Sequence, residues 1–354
     1  MAPPVNPGSL VLVTGVNGHL ASATALRLLQ KGYRVRGTVR ALKSGAYVRK
    51  EFKEYGDNFD VAEVPDISVP GAFDAALQGA DAVVHAAAPV TYAAKRTEEF
   101  YVPSIEGTLS ILRSAQKIPS VKRFLYLGSL GSVVMNDKDP HKELMTRDDW
   151  NIMAPKFVQH LDDPHIGFHI YIASKLEAEK AAWHFMKTQK PHFTFTAVLG
   201  ASTFGPVHKE LTGPPRADQG LGQVYNLIAD PPRVEGLSPI KSMVWVHVYD
   251  VADLFVASLT SDKTLGKRLM AVAGRMSFVE SADIVAKAFP DRRVPPADPN
   301  AFTLQYHGAE VIEFDTALEK ELLGGDWRTL EDAMTTCARD LIEKEAKGWD
   351  KPQV

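Results

Sequence analysis

The stretch LVLVTGVNGHL at residues 10–20 decides the fold of this chain. It opens with four apolar residues, which suit a strand buried on both faces of a parallel sheet. Gly15 then permits a tight turn, and Gly18 lets the backbone approach a ligand closely. The helix that follows presents free N–H groups and the positive end of its dipole at this turn. The stretch therefore predicts a dinucleotide-phosphate site, with a purely structural glycine turn as the alternative. The residues of this site are Gly15, Asn17, Gly18, His19 and Leu20.

Strands and helices alternate regularly over about the first 200 residues. The pattern predicts strands at 10–13, 33–39, 60–64, 82–86, 123–127 and 193–199. It predicts helices at 20–31, 46–55, 71–77, 105–116 and 174–187. Such alternation indicates an α/β fold with a doubly wound parallel sheet, the Rossmann arrangement.

The alternation breaks after residue 201. Residues 202–243 are rich in Gly and Pro and are predicted to form loops. A strand is predicted at 244–248, then a helix capped by Asp250, a strand at 269–273 and a mostly helical tail. We therefore predict a nucleotide-binding domain at 1–201 and 243–275, and a smaller, mixed substrate-binding lobe at 202–242 and 276–354.

The composition excludes several classes of protein. The chain has 354 residues, 45% of them hydrophobic and 23% charged, with a formal net charge of -3, so charge alone favours neither nucleic acid nor an anionic membrane. The single cysteine, Cys337, excludes an internal disulfide and a cysteine-cluster metal site. The first residues lack the pattern of a signal peptide, and no apolar run reaches the roughly 20 residues of a membrane span. We therefore expect a cytoplasmic protein without a metal.

The end of the second predicted strand carries a cation where a carboxylate would indicate NAD. No Asp or Glu occurs between Gly32 and Lys50, whereas Arg40 follows the strand and Arg36 and Lys43 lie nearby. A carboxylate would repel a 2′-phosphate, and an arginine can bind one through paired hydrogen bonds. Arg40 and Lys43 therefore predict NADPH, unless this is simply a solvated basic loop.

The ends of the remaining strands supply further candidates, because ligands bind at this edge of such a sheet. Asp66 and Ile67 suit the edge of an adenine, and the small residues after the fourth strand leave room for ribose and phosphates. His85 is expected to be a packed turn histidine, and Ser129 at the end of the fifth strand could face a substrate. The other cofactor candidates are Ala86, Ala87, Ala88, Leu199, Gly200 and Ser202.

Tyr171 and Lys175 in the stretch YIASK lie four positions apart. On a helix this spacing places both side chains on one face. A phenol with a pKa near 10 is a poor proton donor at neutral pH, and a neighbouring ammonium would lower that pKa. We therefore predict that Tyr171 exchanges a proton with a substrate, while Lys175 tunes the phenol and binds the ribose of the nicotinamide.

Several motifs together resemble the extended short-chain dehydrogenase/reductase family. They are VTGVNGHLAS, GTVR, HAAAP, VKRFLYLGS, YIASKLEAEKAAW, KPHFTFTAVL and WVHVYDVAD, and they span roughly residues 9–275. The sequence looks most similar to fungal and yeast NADPH-dependent aldehyde/ketone reductases and to the related dihydroflavonol reductases. The resemblance implies that Ser129 holds a substrate carbonyl, that Tyr171 donates the proton, and that Lys175 assists it.

Two positions depart from the family pattern. Leu127 and Gly128 stand where the family usually has polar residues before the serine, and Gly200 stands where it usually has a proline. These departures affect the orientation of Ser129 and the support of the nicotinamide ring.

Alternatives on the same fold are a nucleotide-sugar epimerase or dehydratase and a steroid dehydrogenase. Residues 202–240 contain few cations to bind a second diphosphate, which disfavours the first of these. A non-catalytic dinucleotide-sensing regulator need not keep Ser129, Tyr171 and Lys175 together. A hydrolase lacks the required G-x-S-x-G stretch, and a metal at His165 and His169 lacks a third ligand.

The predicted partner is a small aldehyde or ketone with an apolar or aromatic part, and the oligomeric state stays open between monomer and homodimer. The main candidates for substrate contact are Val133, Phe204 and Tyr225. Further apolar candidates for the pocket wall are Val134, Phe157 and Trp245.

Overall fold

The computed structural model describes residues 3–88, 96–133, 144–159, 166–216, 220–230, 242–294 and 313–350. Its strands are β1 (Leu10–Thr14), β2 (Arg34–Val39), β3 (Phe59–Glu63), β4 (Ala82–His85), β5 (Arg123–Ser129), β6 (Leu144–Met145), β7 (Thr194–Gly200), β8 (Ser202–Phe204), β9 (Ser242–His247), β10 (Arg268–Ala271), β11 (Gly274–Ser277) and β12 (Glu313–Phe314). Its helices are α1 (His19–Gln30), α2 (Ala46–Glu51), α3 (Glu98–Gln116), α4 (Ala154–Phe157), α5 (Ile166–Gln189), α6 (Gly220–Ile228), α7 (Val248–Thr260), α8 (Phe278–Ala288), α9 (Ala317–Leu323) and α10 (Leu330–Ala346).

The main sheet has seven strands in the order β3-β2-β1-β4-β5-β7-β10, and all of its pairings are parallel. Strands β2 and β3 lie on one side of β1, and the later strands β4, β5, β7 and β10 lie on the other side. This reversal of strand order leaves a crevice between the ends of β1 and β4, where such sheets bind nucleotides. The predicted doubly wound α/β fold is confirmed.

The sheet is buried on both faces by two separate hydrophobic cores. Val11 and Val13 of β1 pack in the core that contains α1 and α7, whereas Leu12 packs in the core that contains α3. Successive side chains of a strand point to opposite faces, so an unbroken apolar strand supplies both cores. Each such fully buried side chain contributes about 1.5–3 kcal/mol.

A second, smaller sheet organises the C-terminal lobe. Strand β9 pairs antiparallel with β11 and parallel with β8, so the sheet is mixed as predicted. Helices α6, α8 and α10 pack on one another and share a third core, in which Phe204, Trp245 and Cys337 are buried. The exact domain boundaries stay a prediction.

Among the local predictions that differ from the structure, three concern a predicted helix, a predicted loop and a helix cap. Residues 71–77 form successive turns instead of a helix, because the left-handed glycines Gly71 and Gly79 bracket the segment. The stretch 202–243, predicted as loops, contains the helix α6, which was not predicted because Gly and Pro are abundant around it. Asp250 does not cap α7: His247 accepts the capping hydrogen bond, and Asp250 lies in the first turn, paired with Arg328. Within the described part of the chain, no helix is both long and apolar enough to cross a membrane.

Candidate active site

The turn between β1 and α1 is built around two glycines. Gly15 has φ +65°, and a Cβ there would lie 3.1 Å from the Cα of Ala87. The N–H of Gly18 donates to the carbonyl of Gly15 at 2.8 Å, and a Cβ on Gly18 would lie 3.2 Å from that oxygen. Larger residues would therefore strain the turn or push away the loop after β4.

The N-terminus of α1 is open to a ligand. Gly18 occupies the cap position, no side chain caps the helix, and the first turn contains no acidic residue. Both ring nitrogens of His19 are buried without a hydrogen-bond partner, and burial lowers the pKa of His19 to about 3, so this ring is neutral. Free N–H groups with no competing carboxylate suit the diphosphate of a dinucleotide. Asn17 and Leu20 are partly exposed beside this turn.

Thr14 joins this turn to the loop after β4. Its hydroxyl oxygen accepts hydrogen bonds from the N–H groups of Ala86 and Ala87, at 3.0 and 2.9 Å, and lies 2.9 Å from Nδ1 of His85. His85 is buried, and burial lowers its pKa to about 3, so it packs as a neutral histidine as expected. Sequence reasoning missed Thr14, although a hydroxyl between an apolar strand and a glycine was a usable signal. Ala88 follows in the same loop and is partly exposed.

The cations after β2 differ in their surroundings. Arg40 is exposed. The pKa of Asp66 is lowered mainly by the hydrogen bonds that Ser68 donates to its carboxylate, and the charge of Arg40 makes a smaller contribution in the same direction. Arg36 is already paired with Asp60 at 2.9 Å, so it does not serve as a spare cation. Arg40 therefore remains the better candidate for binding a phosphate.

The other two candidates at this end of the sheet have simple surroundings. Lys43 is exposed in the turn that follows Arg40. Ile67 packs against α3 at Gly107, where a Cβ would lie 2.8 Å from the Ile67 side chain. Contact of either residue with a cofactor stays a prediction.

The structure brings Ser129 and Tyr171 together. Ser129 is the last residue of β5, and Tyr171 lies in the second turn of α5, which begins eight residues earlier than predicted. A hydrogen bond between the two side-chain hydroxyls lowers the pKa of Tyr171. The Ser129 oxygen in turn accepts from the N–H of Gly131 at 3.2 Å. The Ser129 oxygen is therefore held between Tyr171 and the N–H of Gly131.

Lys175 lies on the same side of α5 as Tyr171 and faces the sheet. Its ammonium donates to the carbonyl oxygen of Leu127 at 2.8 Å and lies 5.2 Å from the ring centroid of Tyr126. The side chain is 6% exposed. Burial lowers the pKa of Lys175 to about 8, although the charge of Glu179 opposes this shift. The site thus holds a cation that titrates close to neutral pH.

The pKa of Tyr171 is raised, contrary to the prediction of a lowered value. Burial disfavours the phenolate, and this effect on the pKa outweighs that of the hydrogen bond with Ser129. The Lys175 ammonium is directed at the Leu127 carbonyl and so compensates too little. A phenol that stays protonated is nevertheless suited to donating a proton.

The two departures from the family pattern differ in their steric surroundings. A Cβ on Gly128 would lie 2.4 Å from Cδ2 of Leu199, so the buried Leu199 side chain fills the space that a serine at position 128 would need. Gly200 pairs with Ser129 in the sheet register, and a Cβ there would come no nearer than 4.0 Å to a neighbouring atom. The cofactor candidates Leu199 and Gly200 can therefore offer backbone atoms, and Ser202 begins β8 beside them.

The predicted substrate residues lie mainly in cores. Val133 and Phe204 are fully buried, and Tyr225 is buried with its hydroxyl donating to Glu345 at 2.5 Å. Trp245 shares the C-terminal core with Phe204 and Tyr225. Core packing therefore explains these residues, and their contact with substrate stays a prediction. Among the further candidates, Phe157 stacks on His169 with ring centroids 4.7 Å apart, and Val134 lies outside the described residues.

No set of three His, Cys, Asp or Glu side chains that could hold a metal ion occurs among the residues described. The site therefore consists of a glycine turn at a helix N-terminus and, at the same edge of a doubly wound sheet, a hydrogen-bonded Ser129–Tyr171 pair with Lys175 one helical turn from the tyrosine. This combination defines the class of short-chain dehydrogenases/reductases.

The chain belongs to the NAD dependent epimerase/dehydratase family, whose model matches residues 11–273. The resemblance inferred from the sequence and the prediction of an enzyme are confirmed. The chain is 32% identical over 345 residues to aldehyde reductase 2 of Sporidiobolus salmonicolor, covering 96% of each chain. It is 33% identical over 299 residues to an NAD-dependent epimerase/dehydratase of Aspergillus terreus, covering 83% of this chain and 86% of the relative.

The fold is also found among solved structures. The yeast methylglyoxal/isovaleraldehyde reductase Gre2, solved with NADPH, superposes with a TM-score of 0.79 at 24% identity, covering 96% of this chain and 99% of the other.

Proposed function

We propose that this protein is an NADPH-dependent carbonyl reductase that converts a small aldehyde or ketone into an alcohol. The observation that carries the proposal is the hydrogen bond between Ser129 and Tyr171, beside a lysine: the Lys175 ammonium donates to the carbonyl oxygen of Leu127, two residues before Ser129. The relatives support it, because one is named an aldehyde reductase and another a putative NADPH-dependent methylglyoxal reductase.

In this mechanism the residues of the chain act on the carbonyl oxygen. Ser129 and Tyr171 donate hydrogen bonds to that oxygen, where negative charge develops, so these bonds strengthen in the transition state. Tyr171 gives its proton to the oxygen as the new C–H bond forms. Lys175, as a cation, stabilises the resulting phenolate. Bound NADPH would supply the hydride, held at the glycine turn by Gly15, Gly18 and the first N–H groups of α1.

Absorbance of NADPH, followed with a panel of aldehydes, ketoesters, aryl ketones and nucleotide sugars, tests this function. We expect oxidation of NADPH with carbonyl compounds and none with nucleotide sugars. Turnover with nucleotide sugars alone would replace the proposal by an epimerase or dehydratase. Absence of turnover with every compound, despite binding of NADPH, would favour a dinucleotide-sensing regulator.

The variant Arg40→Ala tests the choice of cofactor. A charge-assisted contact to the 2′-phosphate is lost, so we expect KM for NADPH to rise roughly 10- to 100-fold, while KM for NADH changes little. Initial rates with both cofactors measure this. Arg49→Ala removes another exposed arginine from the same region and serves as the control. An equal effect of Arg40→Ala on the two cofactors would contradict the phosphate contact.

The variant Ser129→Ala tests the carbonyl contact. Removal of one donor to the developing oxyanion should lower kcat about a hundredfold, with little change in the affinity for NADPH. Steady-state kinetics and quenching of protein fluorescence by NADPH measure the two effects. An unchanged kcat would assign Ser129 a structural role.

A further inference from the structure

A buried ion pair lies directly behind the catalytic group. Glu179 is fully buried on α5, one helical turn after Lys175. Its Oε1 accepts from Nε of Arg268 at 2.7 Å and from Nε1 of Trp183 at 3.2 Å, and its Oε2 accepts from the hydroxyl of Ser132 at 2.6 Å. The carboxylate therefore has partners on both oxygens.

Arg268 anchors this pair from β10. It is 6% exposed, and its Nη1 donates to the carbonyl oxygens of Arg147 and Asp149 at 2.9 and 2.5 Å. Its guanidinium carbon lies 3.8 Å from the ring centroid of Trp150. Burial of this many paired polar groups fixes their geometry, because removing any one of them leaves another unsatisfied.

Ser132 connects the ion pair to the catalytic serine. Its hydroxyl lies 2.8 Å from the carbonyl oxygen of Ser129 and also receives a hydrogen bond from Nη2 of Arg268 at 3.0 Å. Asn151 holds the same short segment, because its Nδ2 donates to the carbonyl of Gly131 at 2.8 Å. Ser132 shares its one hydroxyl proton between the Glu179 carboxylate and the Ser129 carbonyl oxygen, so the position of Ser129 is tied to Glu179 and Arg268 through this hydroxyl and through the short turn Leu130–Ser132.

Glu179 also supplies negative charge near Lys175. Among the residues that the structure describes, Tyr126 on β5 and His85 on β4 also lie near that ammonium, and Tyr171 is one turn away on the same helix. Burial raises the pKa of Tyr126 and of Tyr171 and lowers that of His85 to about 3, so all three are neutral at pH 7. Of these four neighbours, Glu179 is the one whose charge favours the ammonium form of Lys175.

We propose that Glu179 is a positioning residue of the reductase reaction: together with Arg268 it holds the turn next to Ser129 through Ser132, and it places a carboxylate one helical turn from Lys175. This inference rests on the roles proposed above for Ser129 and Lys175. It assigns a function to an ion pair that a purely structural account would treat as part of the core.

The direct test is the titration of Lys175, followed by NMR of protein labelled with ¹³C at lysine Cε and assigned with Lys175→Met. Glu179→Gln keeps the shape of the side chain and removes its charge. We expect it to shift the Lys175 titration down by about one pH unit or more. Ser132→Ala, which keeps the ion pair, should leave the titration in place. An unshifted titration in Glu179→Gln would overturn the electrostatic part of the proposal.

Kinetics test the positioning part. In Glu179→Gln we expect kcat to fall at least about tenfold, and the high-pH limb of kcat/KM to move down with the Lys175 titration. In Ser132→Ala we expect a lower kcat with an unshifted pH profile. Unchanged kcat in both variants would refute the link to Ser129.

Glu177→Gln is the matched control for charge, because Glu177 lies on the same helix and pairs with the exposed Lys180. It should retain the wild-type rate and pH profile. Thermal unfolding and NADPH-induced fluorescence quenching identify variants that fail to fold. If Glu179→Gln is one of them, the kinetic test rests on Ser132→Ala, in which the Glu179–Arg268 pair stays intact. If the wild-type protein reduces no carbonyl compound, the proposed function fails, whereas the NMR titration still reports on Glu179 and Lys175.

Discussion

We expect Tyr171→Phe to lower kcat for carbonyl reduction by a factor of roughly 10³–10⁴. The variant keeps the ring, which packs in a small cluster with Phe100 and Ile170, and removes the hydroxyl that would donate the proton. Water is a poor replacement for this donor, because a hydrogen bond holds the Tyr171 hydroxyl beside Ser129. Rates of NADPH oxidation under saturating substrate measure the loss.

Binding of NADPH should be retained in the same variant. The glycine turn and the N-terminus of α1, where the dinucleotide would bind, are formed by residues remote in sequence from Tyr171. We therefore expect the dissociation constant for NADPH to change less than about threefold and the melting temperature to stay close to that of the wild type. Tyr101→Phe is the control, because it removes a half-buried phenol from the neighbouring helix α3. If Tyr171→Phe retained wild-type kcat, the proton donor would have to be another group.

The sequence predicts the main sheet well, for a physical reason. A strand buried on both faces is largely apolar, and β1, β4 and β5 each contain a short apolar run, at residues 10–13, 82–84 and 124–127. Such strands end at the edge where ligands bind, so reading the residues at each strand end also finds Ser129 and the glycine turn. The start of α5 was predicted too late, because the helix begins with the stretch IGFHIY, whose glycine and aromatic residues are weaker helix formers.

The parts that the sequence does not predict depend on contacts between distant residues. Glu179 and Arg268 are 89 positions apart, and their pairing follows from the adjacency of β5, β7 and β10. No spacing rule indicates such a contact. The direction of the Tyr171 pKa was missed for a similar reason, because burial is a property of the folded protein and the i, i+4 spacing describes the helix alone.

Removal of the charge at Lys175 should have the second largest effect. Lys175→Met keeps the length and apolar stem of the side chain and removes the ammonium that bonds the Leu127 carbonyl. We expect kcat/KM to fall roughly a thousandfold, because the phenolate formed in the reaction loses its neighbouring cation. Lys180→Met, on the exposed side of the same helix, should retain the wild-type rate and serves as the control.

The pH dependence distinguishes this electrostatic role from simple packing. Burial lowers the pKa of Lys175 to about 8, and the protonated form is the active one, so wild-type kcat/KM should decline as pH rises through about 8. Tyr171 cannot cause this limb, because its pKa is raised above the ordinary value near 10 and the phenol stays protonated over that range. In Lys175→Met the residual activity should therefore be flat between pH values of about 7 and 9. A decline near pH 8 that persists in Lys175→Met would show that another group titrates there, and the role of Lys175 as the charged partner of Tyr171 would be lost.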